Sequence, residues 1–137
     1  VSGRKVLGPP KDEREFRARE TLMSVIGERK FRSYILNGFV SVRNPASGRV
    51  YQIHPGHGLT YVYEDGKLVE RLCVVLKGDF PPTDSVIVRY LMALNNEKQL
   101  WDIGIKHGAV KKSVQQPSEV DQRPLIEIFS DLKRKSA

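Results

Sequence analysis

The stretch from Arg49 to Leu76, RVYQIHPGHGLTYVYEDGKLVERLCVVL, decides the fold because strand-like segments alternate in it with turn motifs. RVYQIH, LTYVY and LVERLCVVL are rich in β-branched and aromatic residues, as strands are. PGHG at 55–58 separates the first two segments, and Asp65-Gly66 separates the last two. Asp-Gly favours a two-residue hairpin because a type I′ turn needs positive φ at both central positions. With FVSVR and the NPASG turn before it, the stretch predicts an antiparallel meander of four strands.

The alternation of residue types within these segments predicts which way they face. Tyr51 and Ile53 would point to one face of the sheet, and Gln52 and His54 to the other. One face therefore belongs to the core and the other is wetter. The segment LVERLCVVL is more continuously apolar, which predicts a strand covered on both faces at the centre of the core.

Helical patterns flank the meander. A helix from Lys11 to about Gly27 would turn a stripe of Phe16, Met23 and Ile26 toward the core, with Leu22 and Val25 beside it. A second helix would stop at Asn37-Gly38. After the sheet, Thr83 or Asp84 would cap a third helix, and a further helix would continue to Gly108. The predicted fold class is α+β: N-terminal helices, a four-stranded antiparallel meander, covering helices, then a linker and a C-terminal amphipathic helix.

The chain divides into three parts by composition. We expect an extended N-terminal arm over 1–10, a single α+β domain over 11–108, and a linker plus docking helix over 109–137. The last helix would begin at Pro124, and its apolar residues recur at the i, i+3, i+4, i+7 spacing. These residues are Leu125, Ile128, Phe129 and Leu132. Such a stripe either folds back on its own domain or docks on another subunit.

The net charge of +7 resides mainly in the two ends of the chain. A basic end attracts phosphate backbones or acidic protein surfaces, and composition does not separate these two partners. The candidate contacts are Arg4, Lys5, Arg14, Arg17, Arg29, Lys30, Arg43, Arg49, Lys111, Lys112, Lys133, Arg134 and Lys135.

Several classes of function lack a signature in this sequence. No apolar run reaches the length of about 18 residues that a membrane span needs, and the N-terminal stretch lacks the apolar segment of a secretory signal. We therefore expect synthesis in the cytoplasm. The single cysteine, Cys73, excludes an internal disulfide. Phosphate-binding glycine motifs and nucleophile motifs are missing, so we expect no cofactor, no small-molecule substrate and no enzymatic activity.

The histidine pair is the one feature that suggests chemistry. His54 and His57 stand three residues apart across a Pro-Gly turn and could meet at one metal ion. A catalytic zinc site needs a third protein ligand, for which Glu64, Asp65 or His107 can be nominated. The competing interpretation is that both imidazoles lie at the tip of a hairpin loop. A metal-dependent enzyme is therefore a distant alternative.

Nucleic-acid binding is the nearer alternative. Tyr51, Tyr61 and Tyr63 lie in predicted strands and would offer stacking faces for bases, next to the basic residues of the helices. Acidic residues interleave the same helices, and tyrosines at strand spacing often pack under a helix. The sequence leaves both interpretations open.

Three stretches, GRVYQIHPG, ERLCVVL and FPPTDSVIVRYLMALNNEKQLW, together resemble a small uncharacterised α+β domain found in bacterial and phage proteins. The resemblance covers about residues 20–104. It implies this fold and a microbial or viral source, and it brings no catalytic residues.

The function we expect is that of a non-enzymatic structural or adaptor protein. Its basic arm and C-terminal helix would fasten it to other protein subunits of a larger assembly, for which a phage virion is the candidate.

Overall fold

The computed structural model of the chain describes residues 6–56 and 58–109. In chain order its elements are α1 (Glu13–Ile26), α2 (Glu28–Asn37), β1 (Val40–Arg43), β2 (Val50–Ile53), β3 (Thr60–Glu64), β4 (Lys67–Cys73), α3 (Pro82–Asn95), α4 (Glu97–Ile103) and β5 (Ile105–Lys106). The predicted α+β class, with helices before and after an antiparallel sheet, is confirmed. The predicted linker and C-terminal helix lie outside the described residues. Within those residues, no helix combines the length and apolarity that crossing a membrane requires.

The four predicted strands form the meander in the order β1-β2-β3-β4. Each strand pairs antiparallel with the next one, as hairpin connections require. At the tightest connection, Asp65 has φ 52° and Gly66 has φ 79°, which are the two positive values that the Asp-Gly pair predicted.

A fifth, two-residue strand was not predicted. Ile105 and Lys106 pair with Cys73 and Leu72 at the free edge of β4. The prediction that the helix after α3 continues to Gly108 is therefore wrong, since α4 ends at Ile103. The backbone becomes extended at Gly104, with φ −77° and ψ 137°, and it packs closely on β4, where an added Cβ would lie 3.1 Å from the Cβ of Leu72. The backbone passes directly over β4 there and continues as a strand.

The helices cover one face of the sheet, which we call the inner face. Helix α2 contacts β1, and α3 contacts β1 and β2. Tyr51 and Ile53 are fully buried on this face, while Gln52 and His54 are only half-buried on the other, as the alternation predicted. The strand β4 follows its prediction only in part. Leu72 is fully buried, but β4 ends at Cys73, so Val75 beyond it is 70% exposed.

Helix α1 presents a different face to the core from the one that its apolar residues predicted. Leu22 is buried, together with Glu15 and Ala18, and Glu15 is only 3% exposed. The predicted stripe is wrong for Phe16 and Met23, which are 50% and 39% exposed, whereas Ile26 packs against the core as predicted. The polar contacts of Glu15 with α3 explain this orientation of α1.

The N-terminus of α3 is capped from another helix. The helix begins at Pro82, so Thr83 lies inside its first turn and neither Thr83 nor Asp84 is its N-cap, contrary to the prediction. Instead, the Glu15 carboxylate accepts hydrogen bonds from the Thr83 amide at 3.0 Å and the Thr83 hydroxyl at 2.5 Å. The Thr83 hydroxyl proton is thereby engaged, so the Tyr34 hydroxyl donates to Thr83 Oγ1 at 2.8 Å. A carboxylate at a helix N-terminus is favoured by the helix dipole, and this one fastens α1 to α3.

Candidate protein-interaction groove

Residues 6–10 of the N-terminal arm lie across α1 and α2. The amide of Leu7 donates to the carbonyl oxygen of Ile35 at 2.8 Å, and Arg19 Nη1 donates to the carbonyl oxygen of Gly8 at 2.8 Å. Arg19 is itself held in place because its Nε donates to the buried Glu15 carboxylate at 2.8 Å. Residues 7 and 8 are thus attached to the helices by backbone contacts, which do not depend on their side chains.

A groove of about 540 Å³ runs between the arm, α1 and α2. Phe16 and Met23 line it from α1, and they are the same apolar side chains that α1 does not bury in the core. Large apolar side chains gathered at one exposed place mark sites of interaction. The lining residues are Leu7, Gly8, Pro9, Pro10, Phe16, Arg19, Glu20, Met23, Phe31 and Ile35. We call this site the arm groove.

The chemistry of the arm groove is that of binding an apolar surface. Only Arg19 and Glu20 are charged among its lining side chains, and the Arg19 guanidinium is already engaged by Gly8 and Glu15. An amphipathic helix lays its apolar face into a groove of this type, with anchors spaced by three and four residues. The flexible side chain of Met23 adapts to different apolar shapes.

The predicted basic contacts on the helices lie among acidic side chains. Arg14 contacts Asp79 at 3.2 Å, and Arg17 contacts Glu13 at 2.8 Å one turn earlier on α1. Arg29 and Lys30 are exposed on α2, where the neighbouring Arg32 contacts Glu28 at 3.2 Å. The two helices therefore present mixed charge.

The remaining predicted contacts are dispersed. Arg43 is exposed on β1. Arg49 contacts Glu64 at 2.6 Å and Glu97 at 3.5 Å, and its guanidinium lies 5.6 Å from the centre of the Trp101 ring. The other predicted site residues lie outside the described residues: Arg4, Lys5, Lys111, Lys112, Leu125, Ile128, Phe129, Leu132, Lys133, Arg134 and Lys135.

His54 lies in an aromatic row on the outer face of the sheet. Its ring centre is 5.2 Å from that of Phe39 and 5.3 Å from that of Tyr61, and its Nε2 is 3.4 Å from Gln52 Oε1. His57 is the one internal residue that the structure does not describe. In 6–56 and 58–109, no three His, Cys, Asp or Glu side chains lie close enough together to hold a metal ion. The metal hypothesis depends on His57 and remains untested.

Arg89 is a buried residue that the sequence analysis missed. It is 1% exposed, and its guanidinium holds the loop between β2 and β3. Nη1 donates to the Gly58 carbonyl oxygen and to Thr60 Oγ1, each at 3.1 Å, and Nη2 donates to the His54 carbonyl oxygen. Nε donates to the carbonyl oxygen of Ser85 at 3.1 Å. Burial lowers the pKa of Arg89 to about 10, so the guanidinium is still charged at neutral pH.

A polar cluster fastens α4 to the sheet. Glu97 Oε1 accepts hydrogen bonds from the Tyr51 hydroxyl at 2.6 Å and from the Ser47 hydroxyl at 2.7 Å. Trp101 Nε1 donates to the Tyr51 hydroxyl at 2.9 Å. Burial and the bond to Glu97 raise the pKa of Tyr51 above its usual value. Tyr51 is fully buried in this cluster, so of the two interpretations of the strand tyrosines, packing under a helix is the one that applies to Tyr51.

Burial alone would raise the pKa of Glu97, but the hydrogen bonds from Tyr51 and Ser47 and the charge of Arg49 outweigh it. The pKa of Glu97 therefore lies below its usual value of 4.5. A carboxylate with this many donors is a poor proton acceptor, which favours a structural role for the cluster.

We expect Glu97 to stabilise the fold near neutral pH and to lose this effect in acid. Since its pKa is lower in the folded chain than in the unfolded chain, the contribution is complete above the unfolded pKa and is lost as the pH falls through the folded pKa. Urea unfolding of the natural chain and Glu97→Gln should differ more at about pH 7 than at about pH 3. The exposed Glu20→Gln is the control. An equal difference at both pH values would show that the Glu97 charge contributes nothing.

Comparison with known proteins adds no residue to these sites. The resemblance to small α+β domains of bacterial and phage proteins stays a prediction, and so does the microbial or viral source that it implies. No protein-family model, curated protein or solved structure matches this chain.

Proposed function

We propose that this protein is a non-enzymatic structural or adaptor subunit that joins a larger assembly by binding an amphipathic helix in the arm groove. The observation that supports the proposal is the exposure of Phe16 and Met23 beside an arm that is hydrogen-bonded in place. An apolar side chain gains about 1.5 to 3 kcal/mol when it passes from full exposure to full burial. Phe16 at 50% and Met23 at 39% exposure would therefore each gain about 0.6 to 1.5 kcal/mol when a partner covers them.

The partner in this proposal is another protein subunit. Its helix would place apolar residues on Phe16 and Met23 and polar residues at the edge near Glu20. A phage virion is the assembly that the sequence resemblance suggests. The direct test is a charged substitution at Met23, followed by a measurement of how much protein enters the assembly.

Nucleic-acid binding is a second candidate, supported by the outer face of the sheet. Phe39, His54 and Tyr61 form a row of rings there, and Tyr63 lies half-buried on the same face. Single-stranded nucleic acids stack their bases on such rings, while basic residues contact the phosphates.

If the outer face binds single strands, Tyr61→Ala should weaken the binding of a labelled oligonucleotide by roughly 5- to 150-fold, because one stacked base contributes about 1 to 3 kcal/mol. Fluorescence anisotropy measures this affinity, which should also fall steeply between about 50 and 200 mM salt. Phe16→Ala in the arm groove is the control and should bind like the natural chain. The absence of binding at about 50 mM salt would exclude this function.

A further inference from the structure

We infer that, before assembly, the arm groove binds the C-terminal segment of the same chain, residues 124–135. This inference rests on the proposed function, since the tail would occupy the groove that later takes the helix of a partner. The C-terminal segment therefore competes with the partner helix for the arm groove.

The tail has the pattern that the groove fits. Leu125, Ile128, Phe129 and Leu132 have helical spacing, so as a helix they would form one apolar stripe about 10 Å long. A free stripe of this kind would be exposed to water on a small protein. Phe16 and Met23 supply a complementary apolar surface on the same molecule.

The linker is long enough for the tail to reach the groove. The described chain ends at residue 109 next to β5, where Arg71 donates from Nε to the carbonyl oxygen of Gly108 at 2.8 Å. Residues 110–123 separate this point from Pro124 and span about 45 to 50 Å when fully extended. A domain of this size is about 35 Å across.

The linker also favours the tail of the same chain over that of another copy. As a flexible chain, its average end-to-end distance is about 20 Å, close to the width of about 19 Å of a five-stranded sheet. A linker of matching length gives an effective concentration in the millimolar range. The tail of another molecule would need a similar concentration to compete.

Charge supports the same arrangement. Glu20 is exposed and lines the groove, whereas Lys133, Arg134 and Lys135 directly follow the apolar stripe of the tail. With the stripe in the groove, the basic cluster would lie within reach of Glu20 and would be attracted to its carboxylate. A partner helix must displace the tail, and the displaced stripe is then exposed to bind a neighbouring subunit.

Chemical cross-linking of the full chain tests the inference. With Cys73→Ser as the background, the pair Met23→Cys and Leu132→Cys is treated with a short bifunctional maleimide at low protein concentration. We expect a cross-linked monomer that forms at least tenfold faster than in the control pair Lys98→Cys and Leu132→Cys, because Lys98 lies on α4 away from the groove. Adding Ile128→Asp to the test pair should reduce its rate to that of the control.

Each outcome decides the question. Cross-linked dimers in place of monomers would assign the groove to a second copy and overturn the inference. A rate no higher than that of the control pair would overturn it as well. The pair Phe16→Cys and Leu132→Cys repeats the test if Met23→Cys folds poorly. Neither of these two outcomes contradicts the proposed function, since a partner helix could still bind the arm groove.

Discussion

Replacement of Arg89 by methionine should lower the free energy of unfolding by roughly 3 to 5 kcal/mol, a large part of the stability of a small domain. Methionine keeps an unbranched chain as far as the position of Nε, but it lacks the rest of the guanidinium and donates no hydrogen bond. The carbonyl oxygens of His54 and Gly58 would lose their Arg89 donor, as would the hydroxyl of Thr60. A buried acceptor left without a donor costs about 1 to 3 kcal/mol.

Urea unfolding at neutral pH measures this effect. Arg89→Lys should lose less stability, since an ammonium keeps the charge and part of the donor set. Arg29→Met, on the exposed side of α2, is the matched control and should change the free energy of unfolding by no more than about 0.5 kcal/mol. A loss below about 1 kcal/mol in Arg89→Met would contradict the role given to the guanidinium.

Local chemistry explains which parts of the fold were predicted correctly. Asp65-Gly66 specifies its turn because both residues tolerate positive φ, and Gly38 ends α2 with φ 83° for the same reason. Tyr51 and Ile53 face the core because side chains alternate along a strand. These signals act between neighbours in sequence and do not depend on the rest of the fold.

Contacts between distant residues explain what was missed. Glu15 rotates α1 toward Thr83, which lies 68 positions away, so apolar periodicity alone selected the wrong face of this helix. Arg89 donates to the carbonyl oxygens of His54 and Gly58, which lie more than 30 positions away in the sequence. Because every residue has a backbone carbonyl, the residue types at these positions do not indicate the contact. The one sequence feature that indicates a buried Arg89 is its position within the apolar run VIVRYL.

The arm groove was missed for the same kind of reason. Its wall depends on the hydrogen bond between the amide of Leu7 and the carbonyl oxygen of Ile35, a backbone contact without a sequence signature. The sequence predicts Phe16 and Met23 in the core because residue type alone does not distinguish an exposed apolar side chain from a buried one. Their exposure is visible only once the contacts of Glu15 are known.

Replacement of Met23 by aspartate in the full chain should reduce entry into the assembly by at least roughly 30-fold while the protein stays folded. A partner helix would lose an apolar contact worth about 1 kcal/mol and would have to bury a charge at a cost of at least about 1 kcal/mol more, which together correspond to about 30-fold. Met23 is 39% exposed on the described part of the chain, so the free energy of unfolding should fall by no more than about 2 kcal/mol and the protein should stay folded. Val25→Asp is the matched control, because Val25 is also on α1, is 41% exposed and does not line the groove.

The most direct measurement of the central claim is the amount of each variant that sediments with the large assembly in the organism or virus that makes this protein. We expect Val25→Asp to sediment like the natural chain and Met23→Asp to remain in the supernatant as folded protein. Sedimentation of Met23→Asp at the natural level, or an equal loss of both variants, would contradict the claim that the arm groove joins this protein to its partner.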